Sequence, residues 1–117
     1  MKAQLLIAML VAVFSVCAKA GSQTGTVTQI VVRSTDGLVY VYLSGTATSR
    51  VGCASATPYW MIADENSTSG KQQLGQLSLA FAAGKTVTIV GTMGPGPTGT
   101  CKRWGDGEDI GSVAVNY

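Results

Sequence analysis

The side chains that could do chemistry in this sequence are two short groups of carboxylates. One is Asp64-Glu65, and the other contains Asp106, Glu108 and Asp109. Two carboxylates on either side of a sugar bond can act as acid and base in glycoside hydrolysis. We favour a structural interpretation of the first pair, because negative charge stabilises the start of a helix. The chain has no histidine, which removes the usual general base, the serine triad and most zinc sites. We therefore predict that the protein is not an enzyme.

The stretch RWGDGEDIG, residues 103–111, is the most unusual in composition. Its three carboxylates beside two glycines could supply oxygen ligands to calcium, although their spacing lacks the EF-hand pattern. We favour a polar turn, in which Asp106 accepts hydrogen bonds from its own backbone and Arg103 is paired nearby. This interpretation predicts no metal site and no cofactor.

Residues 1–20 have the pattern of an export signal. Lys2 supplies the positive start, residues 5–14 (LLIAMLVAVF) form the apolar run, and A-K-A at residues 18–20 is a small-x-small cleavage site. The run is shorter than the about 20 apolar residues that a membrane span needs. We therefore predict cleavage before Gly21, export to the periplasm or out of the cell, and no stable membrane span. The alternative is an uncleaved anchor.

Removal of the signal changes the cysteine count and the charge. Cys17 leaves with the signal, so Cys53 and Cys101 remain. An even cysteine count in an exported chain predicts a disulfide, and two buried free thiols are the alternative. Lys2 and Lys19 also leave, so eight basic residues become six against six acidic ones, and the formal charge falls from +2 to zero. With no basic run, binding to nucleic acid has no electrostatic support.

Trp104 and Asp106 are candidate ligand contacts. An aromatic ring beside a carboxylate is a usual combination in sugar sites, because the ring offers an apolar face and the carboxylate binds hydroxyls. The alternative is that Trp104 fills the core against the disulfide, which is the commoner position for a lone tryptophan. The sequence leaves both positions open.

One segment of the predicted mature chain has the signals of a helix, with its start near Ser67 and its end at Gly84. Ser67 and the two hydroxyl residues after it can accept hydrogen bonds from free helix N–H groups, and Gly84 can adopt the left-handed conformation that ends a helix. Three apolar residues recur at spacings of three and four, so we expect them to share a face that packs on the rest of the protein. They are Leu74, Leu77 and Phe81.

The rest of the predicted mature chain is short, β-branched and interrupted by glycine. The predicted strands are residues 26–33, 38–43, 59–63, 86–91 and 110–117. Asp36-Gly37 predicts a hairpin turn between the first two. We expect residues 21–25 to be a mobile tail and residues 100–104 to be a strand fragment. One helix between the third and fourth of five strands is the order of an OB-fold barrel. We therefore predict a mainly β protein, with a signal peptide at residues 1–20 and a single OB-fold domain at residues 21–117.

The second predicted strand, LVYVYL, has two apolar faces. Alternation puts one set of residues on the face that we predict to be core. This set is Val39, Val41 and Leu43. The other face carries Leu38, Tyr40 and Tyr42, and something must cover it. Residues 44–57 could do so, but tyrosine is also favoured at interfaces and sugar sites. Tyr40 and Tyr42 are therefore candidate residues for a ligand site or a subunit interface.

Several stretches together resemble a known group of proteins. They are GxVTxI at residues 25–30, LVYVYL at 38–43, YWMI at 59–62 followed by ENS at 65–67, GKTVTIVGT at 84–92 and TCKRWGDGEDI at 100–110. The order and the stretches resemble small exported bacterial proteins that are similar to the B subunit of subtilase cytotoxin and its pertussis-toxin-like relatives. That resemblance implies an OB-fold, often in a ring of five subunits, that binds sialylated or other glycans.

The expected function is therefore that of an exported binding module for a glycan or a protein, with assembly into a pentamer implied by the resemblance. The alternative is a periplasmic structural or inhibitory protein that binds a protein partner. None of the family's sugar-contacting residues is placed on this chain.

Overall fold

The computed structural model describes residues 20–92 and 99–116. Residues 1–19, which hold all but the last residue of the predicted signal, residues 93–98 and Tyr117 lie outside these residues. The described chain forms five strands and one long helix. They are β1 (Ser22–Val32), β2 (Val39–Leu43), β3 (Tyr59–Met61), α1 (Thr68–Ala83), β4 (Thr86–Gly91) and β5 (Glu108–Asn116). A single 3-10 turn, Gly52–Ala54, precedes β3.

The strands close into a barrel in the order β1-β2-β3-β5-β4. Neighbouring strands are antiparallel, except that β3 and β5 are parallel. β1 is long enough to pair with two partners: its first half lies against β4 and its second half against β2. With α1 between the third and fourth strands, this is the arrangement of an OB-fold, and the predicted fold class is confirmed.

The barrel interior is filled by apolar side chains from every strand and from α1. The predicted core residues of β2 are among them, which confirms the alternation read from the sequence. The main members are Val27, Val39, Val41, Leu43, Trp60, Ile62, Leu77, Ala80, Val87, Ile89 and Ile110. Two buried polar side chains satisfy each other, because the indole N–H of Trp60 donates to Gln23 Oε1 at 2.8 Å.

The prediction of a mobile tail at residues 21–25 is wrong. Ser22 to Gly25 form the first part of β1, where they pair with Val90 to Val87 of β4. The segment is polar and contains glycine, so its own pattern gives no strand signal. Its partner is a strand more than sixty residues later in the chain, and only tertiary pairing reveals it. The hairpin between β1 and β2 is confirmed, with Gly37 at a φ of 76°.

The two strands of the hairpin are each one residue shorter at the turn than predicted, and β3, β5 and residues 100–104 also differ from the prediction. β3 ends at Met61, and β5 begins two residues earlier than expected, because Glu108 and Asp109 pair with β3. Residues 100–104 form no strand. Trp104 instead makes an isolated bridge to Gly107 across a tight turn. We call residues 103–107 the Trp104 turn.

Both ends of α1 are confirmed. Ser67 Oγ accepts a hydrogen bond from the Gly70 N–H at 2.9 Å, and Gly84 has the left-handed φ of 66°. Leu77 is fully buried, but Phe81 is 45% exposed, so its predicted place in the core is wrong. In the last turn of the helix it is Ala80 that faces the barrel, and Phe81 is rotated about 100° away from it. A small residue at the contact brings the helix close and leaves no space there for a ring.

Candidate functional site

Three tyrosines form a cluster on the outside of the barrel. Tyr42 of β2 is the cross-strand partner of Tyr59 of β3, and Tyr40 lies two residues along β2 on the same face. The ring centroids are 5.0 Å apart for Tyr40 and Tyr59, 5.9 Å for Tyr42 and Tyr59, and 6.1 Å for Tyr40 and Tyr42. All three side chains are half-buried. We call this cluster the tyrosine face.

The pairing of β2 with β3 explains why the rings point outwards. Val41 and Trp60 are cross-strand partners and are fully buried in the barrel. The residues on either side of them must therefore lie on the opposite face of the sheet, because side chains alternate along a strand. The sequence did not identify Tyr59 as a candidate site residue. The signal that could have identified it is its position directly before Trp60, the largest core side chain.

The Trp104 turn lies against one end of the tyrosine face. The Tyr59 hydroxyl donates a hydrogen bond to Asp106 Oδ1. Thr57 Oγ1 donates to the Asp106 carbonyl at 2.5 Å. Gly107 is packed so closely that a Cβ there would lie 2.7 Å from Tyr59 Cε2. Burial, followed by the hydrogen bond and charge of Asp106, raises the pKa of Tyr59 to about 12. The structure therefore brings Asp106 together with the predicted Tyr40 and Tyr42 through Tyr59.

Trp104 is exposed rather than buried. Its exposed fraction is 43%, so it does not fill the core against the disulfide. The Arg33 guanidinium carbon lies 5.7 Å from its ring centroid. Within the described chain, no ring contact joins Trp104 to the tyrosine face, although Asp106 belongs to the same turn. Trp104 therefore lies beside the β1–β2 hairpin and is not a member of the tyrosine face.

Two carboxylates fix the position of the Trp104 turn. Arg103 forms a bidentate ion pair with Glu65, with Nη2 to Oε1 at 2.6 Å and Nε to Oε2 at 3.0 Å. The hydrogen bonds from Arg103 lower the pKa of Glu65. The buried Asp109 accepts hydrogen bonds from Thr100 Oγ1 at 2.7 Å and from the Lys102 N–H at 2.8 Å. Because partners on both sides hold the turn, Asp106 meets Tyr59 in a defined geometry.

The carboxylates that the sequence singled out have separate partners. Asp106 accepts from Tyr59, Asp109 accepts from Thr100 and Lys102, and the fully buried Glu108 accepts from the backbone of Gly21 and Val51. In residues 20–92 and 99–116, no three metal-ligating side chains come together in a group that could hold a metal ion. Asp106 and Asp109 therefore help to position the Trp104 turn.

The disulfide between Cys53 and Cys101 is present, as predicted. It joins the 3-10 turn before β3 to the segment that leads into the Trp104 turn. A structural disulfide of this kind is typical of an oxidising environment outside the cytosol. In the part of the chain that the structure describes, no helix has the length and apolar character to cross a membrane.

Comparison with known proteins adds no relative. No protein-family model matches this chain, and no curated protein or solved structure is significantly similar to it.

Proposed function

We propose that this protein is an exported binding module that recognises a glycan on the tyrosine face, beside Asp106. The observation that carries the proposal is the cluster of three half-buried rings within 6.1 Å of one another on the outside of a barrel. The barrel already has a packed interior, so these rings are not needed to fill the core. The outer face of strands two and three is also where OB-folds bind oligosaccharides and oligonucleotides.

The chemistry of the face suits a sugar. A tyrosine ring offers a flat apolar surface to the C–H side of a pyranose, while phenol and carboxylate oxygens bind its hydroxyls. Among the described residues, the hydroxyls of Tyr40 and Tyr42 make no hydrogen bond, so they can bind a ligand or water. Tyr59 is held by Asp106 and is the rigid member of the set. A predicted mature chain without net positive charge makes a nucleic-acid ligand a poor fit.

The resemblance to the B subunits of subtilase cytotoxin and pertussis-like toxins supports the same function, and it adds assembly into a ring of five subunits. Export is supported by the signal pattern of residues 1–20 and by the disulfide. The alternative, a periplasmic structural or inhibitory protein, would use the tyrosine face to bind a protein instead, since tyrosine is enriched at protein interfaces as well.

A glycan array tests the proposal, with the mature oxidised protein and two variants. Tyr40→Ser and Tyr42→Ser should each weaken binding to the recognised glycan by about tenfold or more, the equivalent of roughly 1.4 kcal/mol. The matched control is Leu79→Ser, which removes a side chain that is 61% exposed on α1. Its affinity should equal that of the unchanged protein. Near-ultraviolet circular dichroism of each variant checks that the barrel has folded.

Light scattering on the same samples separates the alternatives. A mass several times that of one chain, reduced by the Tyr40 and Tyr42 substitutions, would place a subunit interface on this face. Absence of any glycan binding, together with protection of the tyrosines by a copurified protein, would replace the glycan proposal with the protein-binding alternative. Glycan binding that survives both tyrosine substitutions would place the site elsewhere and refute the proposal.

A further inference from the structure

Glu108 is a buried carboxylate that the tyrosine face does not use. It is fully buried at the start of β5. Its oxygens accept hydrogen bonds from two backbone groups, the Gly21 N–H at 2.8 Å and the Val51 N–H at 3.2 Å. Its nearest positive charge is Arg50, with Nε 3.6 Å from Oε1. The carboxylate therefore has two neutral backbone donors and one ion-pair partner, whose nitrogen lies slightly beyond hydrogen-bond distance.

Arg50 is only a partial partner for this carboxylate. Its two terminal nitrogens donate to the carbonyls of Thr57 and Tyr59, each at 2.7 Å. Its guanidinium also lies 4.3 Å from the ring centroid of Trp60. These contacts engage both terminal nitrogens, so only Nε faces Glu108, and at 3.6 Å this buried Nε makes no hydrogen bond within the described residues. A buried carboxylate is stable only when charged or well-directed donors surround it, so Glu108 has capacity for a further positive donor.

Three glycines make room for the carboxylate. A Cβ at Gly21, Gly91 or Gly99 would lie 2.7, 2.0 or 2.9 Å from an oxygen of Glu108. At Gly21 a Cβ would also meet the Arg50 backbone at 3.0 Å. A side chain at any of these positions would displace the carboxylate or the backbone. At position 21 there is space for a backbone nitrogen in contact with Glu108, but not for a side chain.

Gly21 is also the residue that the predicted cleavage makes the first of the mature chain. We propose that the pocket around Glu108 is an internal binding site for the processed N-terminus, in which the α-ammonium of Gly21 pairs with the Glu108 carboxylate. The proposal rests on the export step of the proposed function. It does not depend on what the tyrosine face binds.

The chemistry of the step is simple hydrolysis of the Ala20–Gly21 peptide bond. One water is consumed: its hydroxyl goes to the Ala20 carbonyl carbon and its proton to the Gly21 nitrogen, which takes up a second proton at neutral pH. A neutral amide with one N–H thereby becomes a cation with three. A charge-assisted hydrogen bond is roughly twice as strong as a neutral one, so cleavage adds a charged hydrogen-bond donor to the ion pair that Glu108 already forms with Arg50.

The backbone around Gly21 already holds its nitrogen in place. The Gly91 N–H donates to the Gly21 carbonyl at 2.9 Å, and the Ser22 N–H donates to the Thr48 carbonyl at 2.9 Å. The new terminus is therefore ordered by β-pairing, and the ion pair needs no further loss of chain freedom. The same contacts explain why β1 begins at the residue after Gly21.

The first test follows the α-amine of the protein exported through its own signal. Mass spectrometry should identify Gly21 as the first residue. Acylation at neutral pH should then modify its α-amine about tenfold or more slowly than in the denatured chain, because a nearby carboxylate favours the unreactive ammonium. The exposed Lys71 is the internal control, and its ε-amine should react at similar rates in both states.

The second test compares refolded oxidised chains that begin at Ala20 or at Gly21. The extra residue abolishes the charge at Gly21, so the chain that begins at Ala20 should melt lower by about 4 °C or more. In the Glu108→Gln background the two chains should melt together. If the Glu108→Gln chains do not fold, the amine protection of the unchanged protein decides the question.

Three results would overturn the proposal. They are a first residue other than Gly21, a Gly21 α-amine as reactive as in the denatured chain, and equal melting temperatures for the two unchanged chains. Only the first result, a different first residue, would also contradict the predicted cleavage site on which the export proposal relies. None of them affects glycan binding, which is measured separately on the tyrosine face.

Discussion

Tyr59 is the residue through which the tyrosine face and the Trp104 turn are connected. Its ring contacts Tyr40 and Tyr42, and its hydroxyl donates to Asp106. Burial and the neighbouring Asp106 carboxylate both disfavour the phenolate, which raises the pKa of Tyr59 from 10.0 to about 12. A single phenol thus reports on whether the turn is in place.

We predict that a titration of the tyrosines, followed by the ultraviolet absorbance of tyrosinate, has a separate step at high pH, called the late step below. One phenol should ionise near pH 12, and Tyr59→Phe should remove that step. In Asp106→Asn the step should move to lower pH, because the charge of the carboxylate is lost while the side chain keeps its size. A titration without a late step, or one unchanged in Tyr59→Phe, would contradict the structure at this residue.

The raised pKa of Tyr59 also makes the stability of the folded protein depend on pH. The folded protein holds the Tyr59 proton more tightly than the unfolded chain. Its contribution to stability is therefore complete below about pH 10 and is lost as the pH rises through about 12. Tyr59→Phe should have a flatter decline of stability across this interval, measured by urea unfolding at each pH.

The helix α1 shows how a single element is placed by a few contacts. The Ser67 cap and the left-handed Gly84 fix its two ends. Leu77 and Ala80 make the contact with the barrel, and they belong to the same core as Trp60. Phe81 lies outside that contact, although its spacing from Leu77 is helical. An element's ends are thus set by local chemistry, whereas the face that it buries is set by what it packs against.

We predict that two substitutions in α1 have very different costs. Leu77→Ala should lower the free energy of unfolding by about 2–5 kcal/mol, because it leaves a cavity under the helix. Phe81→Ala should change it by only about 0.5 kcal/mol, as for an exposed position. Urea unfolding of both variants beside the unchanged protein measures the difference. Equal losses would show that Phe81 packs in the core after all.

At the scale of the whole molecule, a long strand and a disulfide hold the barrel together. β1 pairs with β4 along its first half and with β2 along its second half, so it joins these two strands within the closed barrel. The disulfide closes a loop across 48 positions, and it ties the segment before β3 to the segment before β5. These are the two strands whose parallel pairing is the shortest in the barrel, at two residue pairs. The cross-link therefore supports the weakest junction.

We predict that loss of this cross-link destabilises the entire domain. Cys53→Ser combined with Cys101→Ser should lower the free energy of unfolding by about 4 kcal/mol, the value of the chain-entropy relation for a loop of this length. The reduced natural protein should match the double variant, which provides the control. Alkylation of the oxidised protein should label neither cysteine. Two labelled thiols in natively exported protein would show that the bond does not form there.

The features that the sequence predicted correctly depend either on neighbouring residues or on the number of cysteines, strands and helices. The caps of α1, the alternation of β2 and the hairpin turn at Gly37 are all encoded within a few positions. The disulfide followed from the number of cysteines left after the predicted cleavage. The number and order of the strands and helix were enough for the fold class, because five strands with one helix between the third and fourth is the order of an OB-fold.

Other features became visible only when distant segments met. The first part of β1 is a strand because β4 pairs with it, and Tyr59 joins the tyrosine face because β3 lies in register with β2. Asp106 is 47 positions from Tyr59, and Glu108 is 87 positions from the Gly21 nitrogen that it binds. No local pattern encodes such contacts. They depend on the register of the strands and on where a glycine lets a distant side chain approach the backbone. The sequence by itself therefore determined the elements and their order, while the tertiary structure decided which residues share a site.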